Sequence, residues 1–284
     1  MNLDKAILEP FILNALAEDV GDGDHTSLST IPEGRQGKAK LLVKDTGVIA
    51  GIEVALEIFK AVDPKLETEI LIHDGQHVKP GDIAFYVNGS VHSILKAERL
   101  VLNTMQRMSG IASTTNRIVK LLEGTGTKVL DTRKTTPGLR YLEKLAVKIG
   151  GGVNHRFGLY DMILIKDNHV DYAGGIRKAI NSARSYLKVK KIHIPVEIEV
   201  RNLDELKEVI QAGGIDRILL DNFNFPMLRE AVEIVDGAFI TEASGGITEE
   251  NVLEYARCGV DYVSMGALTH SVISLDMSLK AVKF

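Results

Sequence analysis

The stretch DTRKTTPGLR, residues 131–140, places two cations, Arg133 and Lys134, after the short apolar run KVL and before a Pro-Gly break. Arg140, Lys144, Lys148, Arg156 and Lys166 follow, with His155 and His169, while Asp131 and Glu143 are the acids between residues 131 and 156. The whole chain carries a formal net charge of −4, so this basic run departs from the bulk composition. Guanidinium groups pair with carboxylate or phosphate through two parallel hydrogen bonds, and lysines serve the same anions as point charges. The chemistry expected here is recognition of a polyanionic small molecule, with Arg133 and Arg156 as ligands. Lys144 and Lys148 read as a solvated helix face, because four-residue spacing sets them in one row with Arg140. Arg140 itself stays open between the two readings.

Two carboxylates follow in VEIEV, where Glu197 and Glu199 share one face of a strand because side chains alternate with period two. Val196, Ile198 and Val200 would pack against helices, which turns both acids inward. A buried carboxylate is costly unless a cation or metal partners it, and Lys134 and Lys166 are the expected partners. The pair is either a structural ion-pair network or a site for hydroxyls and a hydrated Mg²⁺. Glycine turns close the last two strand-like runs, Ser244-Gly245-Gly246 in SGGIT and Gly266 in MGALTHS. A helix expected to start at Thr248 adds free amides and a positive dipole end, so the turns are expected to cradle a phosphate. No His/Cys spacing suits a metal, and His155 is singled out among the histidines for adjoining Arg156. Neither a Walker loop nor a strand-borne GxGxxG is present, so nucleotide binding of those kinds is unsupported.

The elements that must position these groups change character near residue 125. Short apolar runs ending in polar residues, KVLDT, MILIKDN, VEIEV, RILLDN, AFITEASGG and DYVSMGA, alternate with helical patterns, and the last four start near 195, 217, 239 and 261, every 22 residues. Six such βα units predict a parallel sheet closed or nearly closed into a barrel, incomplete because eight units are not visible. Chemistry in such barrels sits at the C-terminal strand ends. Those ends collect Arg133–Lys134, Lys166, Glu199, Asp221, Ser244-Gly245-Gly246 and Gly266 at one mouth. Within the repeat, Asn202 reads as an N-cap and Thr248 as another, stapled by Ile247 and Val252. The first ~110 residues predict an α+β layer domain, with a helix over 3–18 bent or broken at Pro10, grouped strands, and one long or two consecutive helices over 96–124.

At 284 residues and 45% hydrophobic, the chain can bury a large core, as one domain or two. Its mild acidity argues against nucleic-acid or membrane-surface binding. The single Cys258 excludes an intrachain disulfide and fits a reducing cytoplasm. No apolar run reaches the ~20 residues that cross a bilayer, and MNLDKAILEP does not read as a signal peptide.

The run DTRKTTPGLRYLEKLAVKIGGGVNHRFGLYDMILIKDNH closely resembles the signature of quinolinate phosphoribosyltransferases. AERLVLNTMQRMSGIAS, VEIEV, ILLDNF, EASGGIT and GVDYVSMGALTHS resemble the same family in the same order, as do EDVGDGDHTS and DTGVIAG, and the resemblance spans about residues 7 to 278. It implies an N-terminal α/β sandwich over 1–112, an incomplete α/β barrel over 113–270 and a tail, 271–284, returning to the first domain. It also implies Mg²⁺-dependent transfer of phosphoribosyl from phosphoribosyl pyrophosphate to quinolinate with decarboxylation, in NAD biosynthesis. Arg133, His155 and Arg156, with Arg99 from a neighbouring subunit of a homodimer or hexamer, are implied to form the quinolinate pocket. Lys134 and Lys166 would bind the pyrophosphate, Glu199 and Asp221 the ribose hydroxyls and, through water, Mg²⁺, and Ser244, Gly245, Gly246 and Gly266 the 5′-phosphate. Read from the residues alone, Arg99 is an exposed helix residue. The rival readings are a same-fold transferase for nicotinate or another acceptor, a Schiff-base aldolase using Lys166 or Lys134, and an inactive barrel that only binds a phosphorylated ligand.

Overall fold

Asp4 accepts a hydrogen bond from the Ala6 amide and so caps helix α1 (Lys5–Val20). The chain does not break at Pro10, where one helix runs through: proline costs an amide donor, but Leu8 and Ile12 on either side of it are buried and hold α1 in place. The structure is a computed structural model and describes residues 3–282. Next come α2 (His25–Thr30), β1 (Gln36–Val43), β2 (Gly47–Val48), α3 (Ile52–Val62), β3 (Glu67–Ile70), β4 (His77–Val78), β5 (Ile83–Ser90) and α4 (Val91–Leu121). Along β1, Ala39, Leu41 and Val43 are buried at period two, the pattern of a sheet with one covered face. Helix α3 buries Ile52, Val54, Ala55, Ile58 and Phe59, and Phe59 meets Phe85 of β5 edge to face at 5.7 Å. α4 is a single helix, the first of the two forms expected for 96–124.

The second half alternates as its repeat predicts: β6 (Lys128–Leu130), α5 (Arg140–Ile149), β7 (Ile163–Ile165), α6 (Asp167–Ala173), α7 (Ile176–Lys190), β8 (Val196–Val200), α8 (Leu203–Ala212), β9 (Arg217–Asp221), α9 (Phe225–Val235), β10 (Ile240–Ser244), α10 (Val252–Ala256), β11 (Tyr262–Ser264), α11 (Ala267–His270) and β12 (Met277–Ala281). β6 to β11 form a six-stranded sheet in the order β6-β11-β10-β9-β8-β7, with every pairing parallel. Among the described residues no ladder joins β7 to β6, so the barrel is open there. Ile198, Val200, Ile218, Leu220, Ala243 and Val263 are fully buried, as are Leu206 and Val209 of α8 and Leu228 and Ala231 of α9. Parallel strands covered by helices need such near-continuous apolar runs.

Asn202 caps α8 as its position predicts, accepting from the amides of Asp204 at 3.0 Å and Glu205 at 2.9 Å. Thr248 does not cap α10. The Asn251 side chain folds back to accept from the Thr248 amide at 2.8 Å and donate to the Gly246 carbonyl at 3.0 Å, so residues 248–251 form a turn and the helix starts at Val252.

The chain forms two compact units: one runs to Asn116 and adds Thr136–Gly151 and everything from Ser271 on, and the other holds Arg117–Thr135 and Gly152–His270. Helix α5, which the sequence reading assigned to 113–270, thus belongs to the first unit. β12 pairs with β1 antiparallel, extending the first sheet to the order β12-β1-β5-β3. No described helix is long and apolar enough to cross a membrane.

Ile198 is fully buried at the middle of β8. Ile198→Ala is expected to lower the unfolding free energy by about 2–5 kcal/mol, read by urea denaturation, because the cavity left behind cannot collapse onto the rigid sheet.

Candidate active site

Alternation along each strand decides which groups turn inward. On β8 these are Glu197 and Glu199, on β9 Arg217, Leu219 and Asp221, and on β10 Glu242 and Ser244. Their outer members, with the loops that follow the strands, line a cavity of about 700 Å³. Arg133, Lys134, His155, Arg156, Lys166, Glu199, Asp221, Ser244, Gly245, Gly246 and Gly266 all line it, so the strand-end residues singled out in the sequence converge.

Lys166 and Glu199 form an ion pair at 3.2 Å. The Asp221 carboxylate accepts from the Asn222 side chain at 2.6 Å, and the Asn222 amide donates to the Ser244 carbonyl at 2.8 Å. Asn222 sits at φ 55°, a left-handed conformation that asparagine tolerates. A Cβ on Gly245, itself at φ 98°, would run into the Asn222 side chain, so this turn requires glycine. At Gly266 a Cβ would lie 2.9 Å from Cδ of Lys134, which makes room for the lysine the second reason for a glycine. The Thr269 hydroxyl donates to the Lys134 carbonyl at 2.9 Å, and the Lys134 amide to the Thr132 hydroxyl at 3.0 Å.

The loop that presents His155 and Arg156 is held by two carboxylates. Buried Asp131, after β6, accepts from the His155 amide at 2.8 Å and from the Asn154 side chain. Asp161 accepts from the amides of Phe157 at 2.6 Å and Gly158 at 2.8 Å. Burial, and then the nearby Arg133 charge, lower the affinity of the Arg156 guanidinium for its proton. Two guanidinium groups that disfavour each other in this way are poised for an anion to relieve them.

Beneath the cavity lies a buried chain of charges. Arg217 Nη1 is 2.8 Å from Glu242 Oε2, which is 3.5 Å from His155 Nε2, which is 3.0 Å from Glu197 Oε2. The partner of Glu197 is therefore His155 and not Lys134, whose side chain is exposed. With Glu197, Glu242, Arg217 and His155 all ionised the group is neutral. Burial works against the His155 charge, but hydrogen bonds to Glu197 and Glu242 outweigh it and push its pKa up to about 9. Burial raises the Glu197 pKa, whereas contact with His155 and the Arg217 charge overcome burial at Glu242 and lower it. The Arg156 amide lies 2.7 Å from His155 Nδ1, a contact that favours the neutral ring. Two carboxylates at Nε2 outweigh one amide, because close charges in a buried site exceed a single neutral hydrogen bond.

A model of the quinolinate phosphoribosyl transferase C-terminal domain matches residues 111–280, and one of the N-terminal domain of the same family matches residues 24–109. The chain belongs to the quinolinate phosphoribosyltransferase family. It is 47% identical to "Quinolinate phosphoribosyltransferase [decarboxylating] 1b" of Nicotiana tabacum, across 96% of this chain and 82% of that protein. With the "Probable nicotinate-nucleotide pyrophosphorylase [carboxylating]" of Bacillus subtilis it shares 41% identity over 97% of its own length and 92% of the relative's. The solved nicotinate-nucleotide pyrophosphorylase of Francisella tularensis superposes with a TM-score of 0.93 at 38% identity, covering 99% of this chain and 98% of that one. Its activity is that of a quinolinate phosphoribosyltransferase, in NAD biosynthesis.

For a quinolinate phosphoribosyltransferase, two donor sets bear on metal binding. Glu199 and Asp221 offer oxygen only, from neighbouring strands lining the cavity, which suits a hydrated hard cation such as Mg²⁺. His155, Glu197 and Glu242 also lie close enough to ligate, but they are buried, include a nitrogen and are already balanced by Arg217, so they do not fit it. Arg99 belongs to the first unit, exposed on α4, where it lines a cavity of about 410 Å³ with Glu18, Asp19, Asn103 and Arg107. Lys144 departs from the expected solvated face. It is buried beside Glu143, which accepts from Arg107 at 2.6 Å and from the Thr136 amide at 3.2 Å, while Lys148 is exposed.

Sequence reasoning passed over Glu242, Arg217, Asp131 and Asn222. Glu242 was within reach of the period-two rule, two positions before Ser244 in ITEAS. A folded pKa of about 9 against 6.5 for free histidine means that His155 contributes stability fully below pH 6.5, lost as pH rises through about 9. Unfolding free energy measured by urea titration should fall between pH 6.5 and 9, and fall less in His155→Gln; a flat wild-type profile contradicts the ionised network.

Proposed function

We propose that the strand-end cavity is where phosphoribosyl pyrophosphate and quinolinate react to give nicotinate mononucleotide, pyrophosphate and CO₂. The observation that supports this reading is the pairing of Arg133 and Arg156 on one cavity wall with Lys166, Glu199 and Asp221 on neighbouring strand ends. Two adjacent guanidinium groups suit two adjacent carboxylates on a pyridine ring. Lys134 and Lys166 hold the pyrophosphate, Glu199 and Asp221 the ribose hydroxyls, and the Ser244-Gly245-Gly246 turn with Gly266 the 5′-phosphate. Glu199 and Asp221 would hold Mg²⁺ through water, and bound there the ion supplies charge neutralisation for the leaving pyrophosphate.

The pyridine nitrogen lone pair forms a bond to the anomeric carbon as the carbon–oxygen bond breaks, its electrons leaving with pyrophosphate. Positive charge that develops on the ribose is met by Glu199 and Asp221, and negative charge on the leaving group by Lys134 and Lys166. In the quaternised ring the C2 carboxylate then departs as CO₂. Its bonding pair stays at C2, stabilised by the adjacent ring cation, and takes a proton from water. No covalent nucleophile is needed, and Lys166 is engaged in an ion pair with Glu199 at 3.2 Å. Arg99 completes the pocket from a second copy of the chain, in a homodimer or hexamer working in the cytoplasm.

Pyrophosphate release measured with quinolinate and with nicotinate tests the reading. Turnover with quinolinate is expected, and turnover with nicotinate alone would overturn it. Lys134→Ala should cost about 10²–10³ in kcat, the scale of one electrostatic donor. After subunit exchange, mixed Arg99→Ala and Lys134→Ala proteins should regain activity, since a hybrid holds one intact site; mixtures that stay inactive contradict the shared site.

A further inference from the structure

Glu242 lines the cavity yet its carboxylate is fully buried, and it joins two cations that come from different parts of the fold. Arg217 of β9 reaches it at 2.8 Å while lying over the Tyr262 ring of β11 at 4.6 Å to the centroid, which fixes the guanidinium on two sides. On its other side Glu242 meets His155 Nε2. Both ring nitrogens of His155 are thereby engaged within the protein, Nε2 by Glu242 and Glu197 and Nδ1 by the amide of Arg156 at 2.7 Å. The His155 amide is tied to Asp131. A ring held this way fixes the start of the residue that follows it, Arg156.

We infer that Glu242, braced by Arg217, is a positioning residue for the quinolinate pocket: it anchors His155, and through His155 it sets Arg156 beside Arg133. This deepens the proposed function and rests on its assignment of Arg133 and Arg156 to the dicarboxylate. The contacts run from Glu242 through His155 to the Arg156 amide, on the side of the site assigned to quinolinate. The charged groups facing His155 are Glu197 from β8 and Glu242 from β10, with Arg217 behind Glu242, Asp131 at the His155 amide, and Arg156 next in the chain. Removing the Glu242 charge leaves the half-buried Arg217 without its carboxylate and His155 with one acid in place of two. The ring then gives up its proton at lower pH, and the loop loses one of the two acids that anchor the His155 ring from which Arg156 follows.

The test is steady-state pyrophosphate release from pH 6 to 10 by wild type, Glu242→Gln and Glu242→Asp. For Glu242→Gln the KM for quinolinate should rise at least tenfold while the KM for phosphoribosyl pyrophosphate changes less than twofold. The pH above which quinolinate affinity falls should drop by about one unit, the size of shift that losing one charged partner produces. Glu242→Asp, which keeps the charge, should recover part of the quinolinate KM. If Glu242→Gln does not fold, Arg217→Lys carries the same comparison. Equal losses for both substrates, or a quinolinate KM and pH profile like wild type, overturn the inference. Absence of quinolinate turnover in wild type would instead overturn the site reading on which it rests.

Discussion

The interior of the second unit depends on charge balance in a place that water does not reach. Glu197 and Glu242 are fully buried at the base of the strand-end cavity, and a lone buried carboxylate would either protonate or destabilise the sheet. His155 and Arg217 supply two cations to these two acids. Because His155 comes from the loop between α5 and β7, Arg217 from β9 and the acids from β8 and β10, the same balance ties that loop to the strands. Arg156 is placed by being next to His155, and Arg133 and Lys134 follow the strand whose end carries Asp131. The cationic face of the cavity is thus built on a charge-balanced floor, in a chain of net charge −4.

Much of this was legible in the sequence, and the reason is periodicity. Parallel strands covered by helices produce apolar runs of fixed length, and the 22-residue spacing matched observed starts at 196, 217, 240 and 262. Polar residues at the ends of those runs had to converge once the strands ran parallel. The misreadings have local physical causes. Thr248 looked like an N-cap, but the Asn251 side chain satisfied its amide from below and delayed the helix. Pro10 promised a break that buried neighbours prevent. Lys144 looked solvated because row spacing says nothing about which side of a helix is covered. The partner of Glu197 was misassigned because the two lysines stood out as strand-end cations, whereas the true partner arrives on a loop whose path no period encodes.

The division of labour across the cavity follows from the same geometry. The ion pair of Lys166 with Glu199 and the turn joining Asp221, Asn222 and Ser244 lie on consecutive strands, where parallel register fixes their spacing. The loop bearing His155 and Arg156 is instead secured by side chains, Asp131, Asp161 and the buried chain below. One wall is set by backbone ladders and the other by ionised groups. The first suits a substrate held by phosphates and hydroxyls, and the second a planar dicarboxylate whose recognition depends on guanidinium direction.

A crystal structure of the protein with quinolinate tests this account most directly. The pyridine ring is expected in the strand-end cavity with its two carboxylates on Arg133 and Arg156, and His155 still turned toward Glu197 and Glu242. Quinolinate bound at another place, or a cavity empty at saturating quinolinate, would contradict it.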